Sequence, residues 1–191
     1  WVYDLRSRGA LRRLTFGGGN LFPVWTLDGQ SITFQSNRGG DLAIYRQRAD
    51  GSGGAERLTR VADGDIGHEP ESWSPDGTLS FDLTGAGGNQ GVWTLPTGGA
   101  PTPARFVDEP VIVEKHSAFS PDGRWLAYMS TTEANVNVFV QPFPPTGALY
   151  QLSPDGGRTP VWSRDGRELF YHHPNSNRLL VVKVTTWVPL P

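Results

Sequence analysis

One five-residue string recurs four times in this chain, and its spacing restricts the fold more than any other feature. It reads aromatic, Thr or Ser, any residue, Asp, Gly: Trp25-Thr26-Leu27-Asp28-Gly29, Trp73-Ser74-Pro75-Asp76-Gly77, Phe119-Ser120-Pro121-Asp122-Gly123 and Trp162-Ser163-Arg164-Asp165-Gly166. The steps from Trp25 to Trp73, to Phe119 and to Trp162 are 48, 46 and 43 residues. A fixed period of roughly 40–50 residues marks an array of small sheets, each burying its apolar faces against its neighbours.

Each string precedes an alternating run: Ile32 and Phe34; Leu79, Phe81 and Leu83; Leu126 and Tyr128; Leu169 and Tyr171. Alternation with period two predicts strands. A polar turn follows, then a second apolar run at Leu42–Tyr45, Gly91–Leu95, Val136–Val140 and Leu179–Val184. A third run follows in the first three units, at Glu56–Thr59, Pro103–Val107 and Leu149–Leu152. The string itself suits the turn between the first two strands, with Asp accepting backbone N–H groups and Gly taking the positive-φ position. The aromatic ends the innermost strand, where a large ring can pack between sheets arranged radially. Ser153-Pro154-Asp155-Gly156 copies the turn, but it lies too near Asp165 and follows an outer-strand run, so it is assigned to a connection between sheets.

The resulting expectation is an all-β β-propeller with four recognisable four-stranded blades and a partial one. The first repeat, Pro23-Val24-Trp25, Asp28-Gly29, Ile32-Thr33-Phe34, Ser36-Asn37-Arg38-Gly39-Gly40, Ile44-Tyr45, Asp50-Gly51 and Arg57-Leu58-Thr59, resembles the repeat of TolB-like β-propellers. Similar repeats occur in propeller domains of prolyl-oligopeptidase-type enzymes and beside bacterial receptor-like kinases. The second repeat lacks the Asn-Arg-Gly-Gly turn and the third begins with Phe119; the resemblance runs from about residue 20 to 184. It specifies a fold and leaves the ligand open.

Residues 1–191 are expected to form a single propeller domain or a section of one. Trp1–Leu5 and Leu11–Thr15 read as the last two strands of an earlier or mixed blade, so the chain enters mid-blade. Two closures stay open: five blades, with residues 1–15 completing the C-terminal sheet, or an arc of a larger propeller, six blades being usual in the family it resembles. Beginning at Trp1, with no charged-then-apolar leader, the sequence reads as a mature form or a piece of a longer polypeptide.

Composition narrows the partners. A net charge of −2, from 17 basic and 19 acidic residues, offers no field for a polyanion or a membrane surface, so nucleic acid and membrane insertion are not expected. With Cys 0 there is no disulfide or thiolate chemistry. Neither a Gly-x-Ser-x-Gly elbow nor a phosphate loop is present. Gly51-Ser52-Gly53-Gly54 reads as the turn between third and fourth strands, and Gly17-Gly18-Gly19-Asn20 as a link between blades.

Candidate site residues lie in the connections between blades, read as Asn20-Leu21-Phe22, Gly67-His68-Glu69, Glu114-Lys115-His116 and Gly157-Arg158-Thr159. Others lie between second and third strands, at Asn37-Arg38, Gly87-Gly88-Asn89, Glu133-Ala134-Asn135 and His172–Asn177. All four histidines, His68, His116, His172 and His173, fall in these segments. His68 with Glu69 and His116 with Glu114 have the chemistry of metal ligands or of a general acid and base. The plainer reading is that polar residues gather in loops. Asp63-Gly64-Asp65, followed by Glu69 and Glu71, is an oxygen-rich segment that suits calcium, though without the spacing of a calcium hand. Arg38 and Arg158 suit a carboxylate, and structural pairing serves them equally. With Asn20, Lys115, His172 and His173 they make up the expected ligand face.

The leading expectation is a non-catalytic module that binds a protein or peptide. The alternatives are a hydrolase with His and carboxylate groups at a channel mouth, and the propeller gate of a larger peptidase. No cofactor is expected other than a metal ion. The resemblance implies an extracytoplasmic, periplasmic address in a bacterium, and an open arc implies a partner, a second copy included.

Overall fold

A computed structural model describes residues 1–5, 9–87, 90–98, 102–107, 113–131 and 135–185. No helix occurs among them, and none therefore is long and apolar enough to cross a membrane. Fifteen strands form instead. The chain divides into two compact units, Trp1–Pro70 and Glu71–Pro191.

The first blade is a four-stranded antiparallel sheet of β1 (Asn20–Trp25), β2 (Ser31–Ser36), β3 (Ala43–Arg48) and β4 (Glu56–Arg57), in that order. The second is built from β5 (Asp65–Trp73), β6 (Thr78–Gly85), β7 (Gln90–Pro96) and β8 (Ala104–Arg105). The third repeats the order with β9 (Val113–Phe119), β10 (Trp125–Thr131), β11 (Val136–Pro142) and β12 (Tyr150–Gln151). A parallel pairing of Gln90 with Val113 links these two sheets at one edge. The fourth shows β13 (Arg158–Trp162), β14 (Glu168–His172) and β15 (Leu179–Lys183). Expectations resting on residues 186–191, on Gly88-Asn89 and on Glu133-Ala134 lie outside the described residues.

Each repeated string is the turn between first and second strands. The carboxylate of Asp28 accepts the Thr26 hydroxyl at 2.6 Å and the Gln30 N–H at 2.9 Å. Asp122 and Asp165 repeat this on Ser120 and Ser163, and Asp76 does so with Ser74 and the Thr78 N–H. These bonds favour the ionised form and hold Asp28, Asp76 and Asp165 below their usual acidity range. Glycine is required at the fourth turn position, where φ is +65°, +86°, +71° and +70° at Gly29, Gly77, Gly123 and Gly166. At Gly123 a Cβ would also sit 2.7 Å from Cδ of Pro75 in the preceding blade's turn.

The second strands of the first three blades are covered on both faces, whereas β14 of the fourth keeps an alternating pattern of burial. Leu126 and Tyr128 of β10 pack against Val92, Phe106 and Val107 of the second blade. Ala127, on the opposite face, packs with Val138 and Val140 against Leu169 and Tyr171 of the fourth. Trp162 enters the same cluster, and its indole N–H donates to Ala118 O at 3.0 Å, so the aromatic of one blade is locked onto the blade before it. In the first unit Leu14, Ile32, Phe34, Ala43 and Tyr45 form the core. The described residues among 1–15 contribute Leu14 to that core and pair Val2 with Arg12 in an antiparallel bridge.

A second local device fixes the outer edge. After β4 the Leu58 N–H donates to Ile44 O at 2.8 Å, and the Thr59 hydroxyl accepts the Ile44 N–H at 2.9 Å. Leu152 and Ser153 do the same to Val138, at 2.9 and 2.7 Å. The short sequence Ser153-Pro154-Asp155-Gly156 thus closes one blade before the next begins, as the connection assigned to it requires.

Candidate functional site

The segments read as connections between blades are instead the first halves of the innermost strands. Asn20–Phe22 open β1, Gly67–Glu69 lie in β5, Glu114–His116 in β9 and Arg158-Thr159 in β13. Their polar residues and prolines masked strand character because β1, β9 and β13 share one bulge. Phe22 and Pro23 together oppose Phe34, His116 and Ser117 oppose Tyr128, and Thr159 and Pro160 oppose Tyr171. The bulge holds one residue in the left-handed region, always three before the anchor aromatic: φ is 52° at Phe22, 56° at His116 and 51° at Thr159. The second blade has Pro70 there, whose ring forbids that conformation. Such bulges bend the strand and re-aim a side chain.

In the third blade the re-aimed side chain is an imidazole. His116 Nδ1 lies 3.6 Å from Glu71 Oε1, and the His116 backbone N–H donates to Asp82 Oδ2 at 3.1 Å. One ligand atom each from Glu71, Asp82 and His116 lies within 4.8 Å of the other two. Asp82 is fully buried, whereas the side chains of His116 and Glu71 keep 37% and 20% of their exposure, so the group opens to solvent on one side. An imidazole between two carboxylates can exchange a proton or ligate a cation.

The structure thus brings together a different set from that read in the sequence. Asp65, Glu69 and Glu71 belong to one nine-residue strand instead of a loop, with Asp63 in the turn before it. Among the described residues, Asp63, Asp65 and His68 join no set of three potential ligands. His68 and Glu69 belong to the first unit, Glu114, Lys115 and His116 to the second. His68 is buried, its carbonyl accepting from Gln35 Nε2 at 3.0 Å and its N–H donating to Leu42 O at 2.9 Å. Burial lowers its imidazole pKa, opposed by the carboxylates of Asp65 and Asp41. Glu114 is buried opposite Ser130, and Lys115 lies opposite Met129.

The expected ligand-face residues divide between structural and exposed roles. Arg38 stacks 5.1 Å from both the Phe34 and Tyr45 rings and donates to Asn20 Oδ1 at 2.8 Å, while Asn20 Nδ2 caps the Gly17 and Gly18 carbonyls. Arg158 and His172 face each other at an exposed strand end. His173 shapes the next turn, its Nδ1 accepting the Asn175 N–H at 3.2 Å.

At the other end of the same inner strands, a groove of about 410 Å³ opens between the turns of the third and fourth blades. Its walls carry two indoles, Trp125 and Trp162, and two guanidinium groups, Arg124 and Arg167, with Pro121 and Val184. Both arginines are exposed and follow their turn glycines directly; their backbone N–H groups bind Asp122 and Asp165, whose carboxylates line the same groove. This face lies outside the segments expected to meet a ligand. The arginine after each of these Asp-Gly pairs was the available signal.

No family model matches the sequence, and no curated protein does. Solved structures match its fold. TolB from Acinetobacter baumannii is 20% identical with a TM-score of 0.68, covering 89% of this chain and 45% of its own. A chain of a nidogen/laminin complex is 11% identical with a TM-score of 0.63, covering 87% and 61%. A gluconolactonase from Xanthomonas campestris is 21% identical with a TM-score of 0.56, covering 85% and 61%. This chain therefore spans about half the length of the structures it matches. The class is the β-propeller. Its fold is similar to that of TolB, as the repeat implied.

Proposed function

We propose that this chain is a recognition module that binds an extended segment of a partner protein. The observation that carries the reading is the groove between the third and fourth turns, lined by two indoles and two exposed arginines beside the turn carboxylates Asp122 and Asp165. Indoles supply apolar contact and cation–π surface, and a guanidinium grips a carboxylate in bidentate fashion. The fitting ligand places an apolar or aromatic side chain on Trp125 and Trp162 and a carboxylate on Arg124 or Arg167. The nidogen/laminin complex is one case of a similar fold within a protein assembly. The TolB-like repeat supports an extracytoplasmic address and a place within a longer propeller or an assembly of copies.

Selection of a displayed random peptide library on the whole chain tests this. Enriched peptides should pair an aromatic residue with an acidic one. Arg124→Ala and Arg167→Ala should each weaken them by about tenfold or more, as expected for charged hydrogen bonds. Peptides indifferent to both substitutions would sink the reading.

A second reading, a hydrolase, is favoured by the His116 and Glu71 pair at 3.6 Å, the gluconolactonase being an enzyme on a similar fold. It requires turnover that disappears with His116→Asn.

A further inference from the structure

We propose that Glu71, Asp82 and His116 bind one divalent transition-metal ion of the zinc type. The repeat supplies an internal control for this. The place of Glu71, two before the anchor, holds Pro23, Ser117 and Pro160 in the other blades, and that of His116 holds Phe22, Pro70 and Thr159. The propeller repeat forms without a carboxylate or an imidazole at either place. Asp82 occupies a position with a structural use, since its counterpart Gln35 also ties its blade to a following strand, through His68 O. The two added groups converge on this one carboxylate.

Their spacing fits an ion better than a direct bond. A hydrogen bond between imidazole and carboxylate would draw the atoms to about 2.9 Å. Two ligands at about 2.1 Å from a tetrahedral zinc stand roughly 3.4 Å apart. The observed separation of Nδ1 and Oε1 is 3.6 Å, and the whole set closes within 4.8 Å. Two carboxylates and a neutral imidazole leave an ion with no excess charge. The half-open side, through Glu71 and His116, gives it an entry path and room for water as a fourth ligand. One nitrogen donor with two oxygen donors favours zinc or manganese over calcium, which takes six or more oxygens.

The test is calorimetric titration of the chelator-stripped, tag-free chain with zinc chloride at pH 7.5. One ion per chain is expected, with much weaker binding of calcium. Asn tolerates the left-handed backbone at His116, so His116→Asn should fold as the parent does, with circular dichroism as the check. His116→Asn and Glu71→Gln should each weaken zinc by more than the roughly tenfold that even loss of an outer-shell partner costs, while His172→Asn should not. Absence of stoichiometric zinc binding by the parent chain overturns the proposal whatever the variants do. So does retention of full affinity in either folded variant, or anomalous scattering from a zinc-soaked crystal that puts the ion elsewhere.

Discussion

Replacing Thr59 by Val keeps the shape of a buried side chain and removes one acceptor. That acceptor receives the Ile44 N–H at 2.9 Å, and both residues are almost fully buried, so water cannot take its place. A buried backbone donor left unsatisfied costs about 1–3 kcal/mol. Taking about 2 kcal/mol, and about 2–4 °C of melting temperature per kcal/mol for a chain of this size, the variant should melt roughly 4–8 °C lower. Ser153→Ala removes the equivalent bond to the Val138 N–H and should behave alike. Urea unfolding followed by tryptophan fluorescence gives the free energy directly, and an unchanged slope shows that the unfolded ensemble is the same. If both variants stay within about 0.5 kcal/mol of the parent, the ordinary range for innocuous surface changes, the blade edges are not held by these hydroxyls.

Three further outcomes follow from the same geometry. Burial lowers the folded-state pKa of His68 below its ordinary 6.5, so its contribution is complete above that value and lost as pH falls toward the folded pKa. Stability should therefore decline below about pH 6.5, and His68→Gln should flatten that part of the profile; an unchanged slope contradicts it. The turn carboxylates Asp28, Asp76 and Asp165 are lowered from 3.8, so their contribution is present above that pH and disappears in stronger acid. The triple Asp→Asn variant should lose that acid limb in thermal melts from pH 5 to 2, and keeping it would refute the capping role. Thr159 is β-branched, exposed and held at φ 51°, so Thr159→Gly should stabilise by about 1 kcal/mol in urea, and a loss of stability would show that the bulge is unstrained.

The turns were legible because their causes are local: a hydroxyl, a carboxylate and a glycine within five residues set the geometry without help from the rest of the chain. Strand character at Glu114–His116 was not legible, since a bulge inserts one residue and breaks the alternation on which the strand reading depends. Glu71, Asp82 and His116 lie 11 and 34 residues apart, and only the packing of the second blade against the third unites them. A column-by-column comparison of the repeats would have exposed two of them, because Glu71 stands where Pro23 and Pro160 do. Thr33, Ser80 and Asp82 lie between the apolar residues of their strands, and their complete burial follows from the packing of neighbouring elements, which the alternation does not report.

The recognition reading is tested most directly by hydrogen–deuterium exchange of the whole chain with and without a peptide selected on it. Binding in the groove predicts added protection over Ser120–Trp125 and Ser163–Glu168, with Glu114–His116 at the opposite strand ends unchanged. Protection confined to Glu114–His116, or absent from both turns, would contradict it.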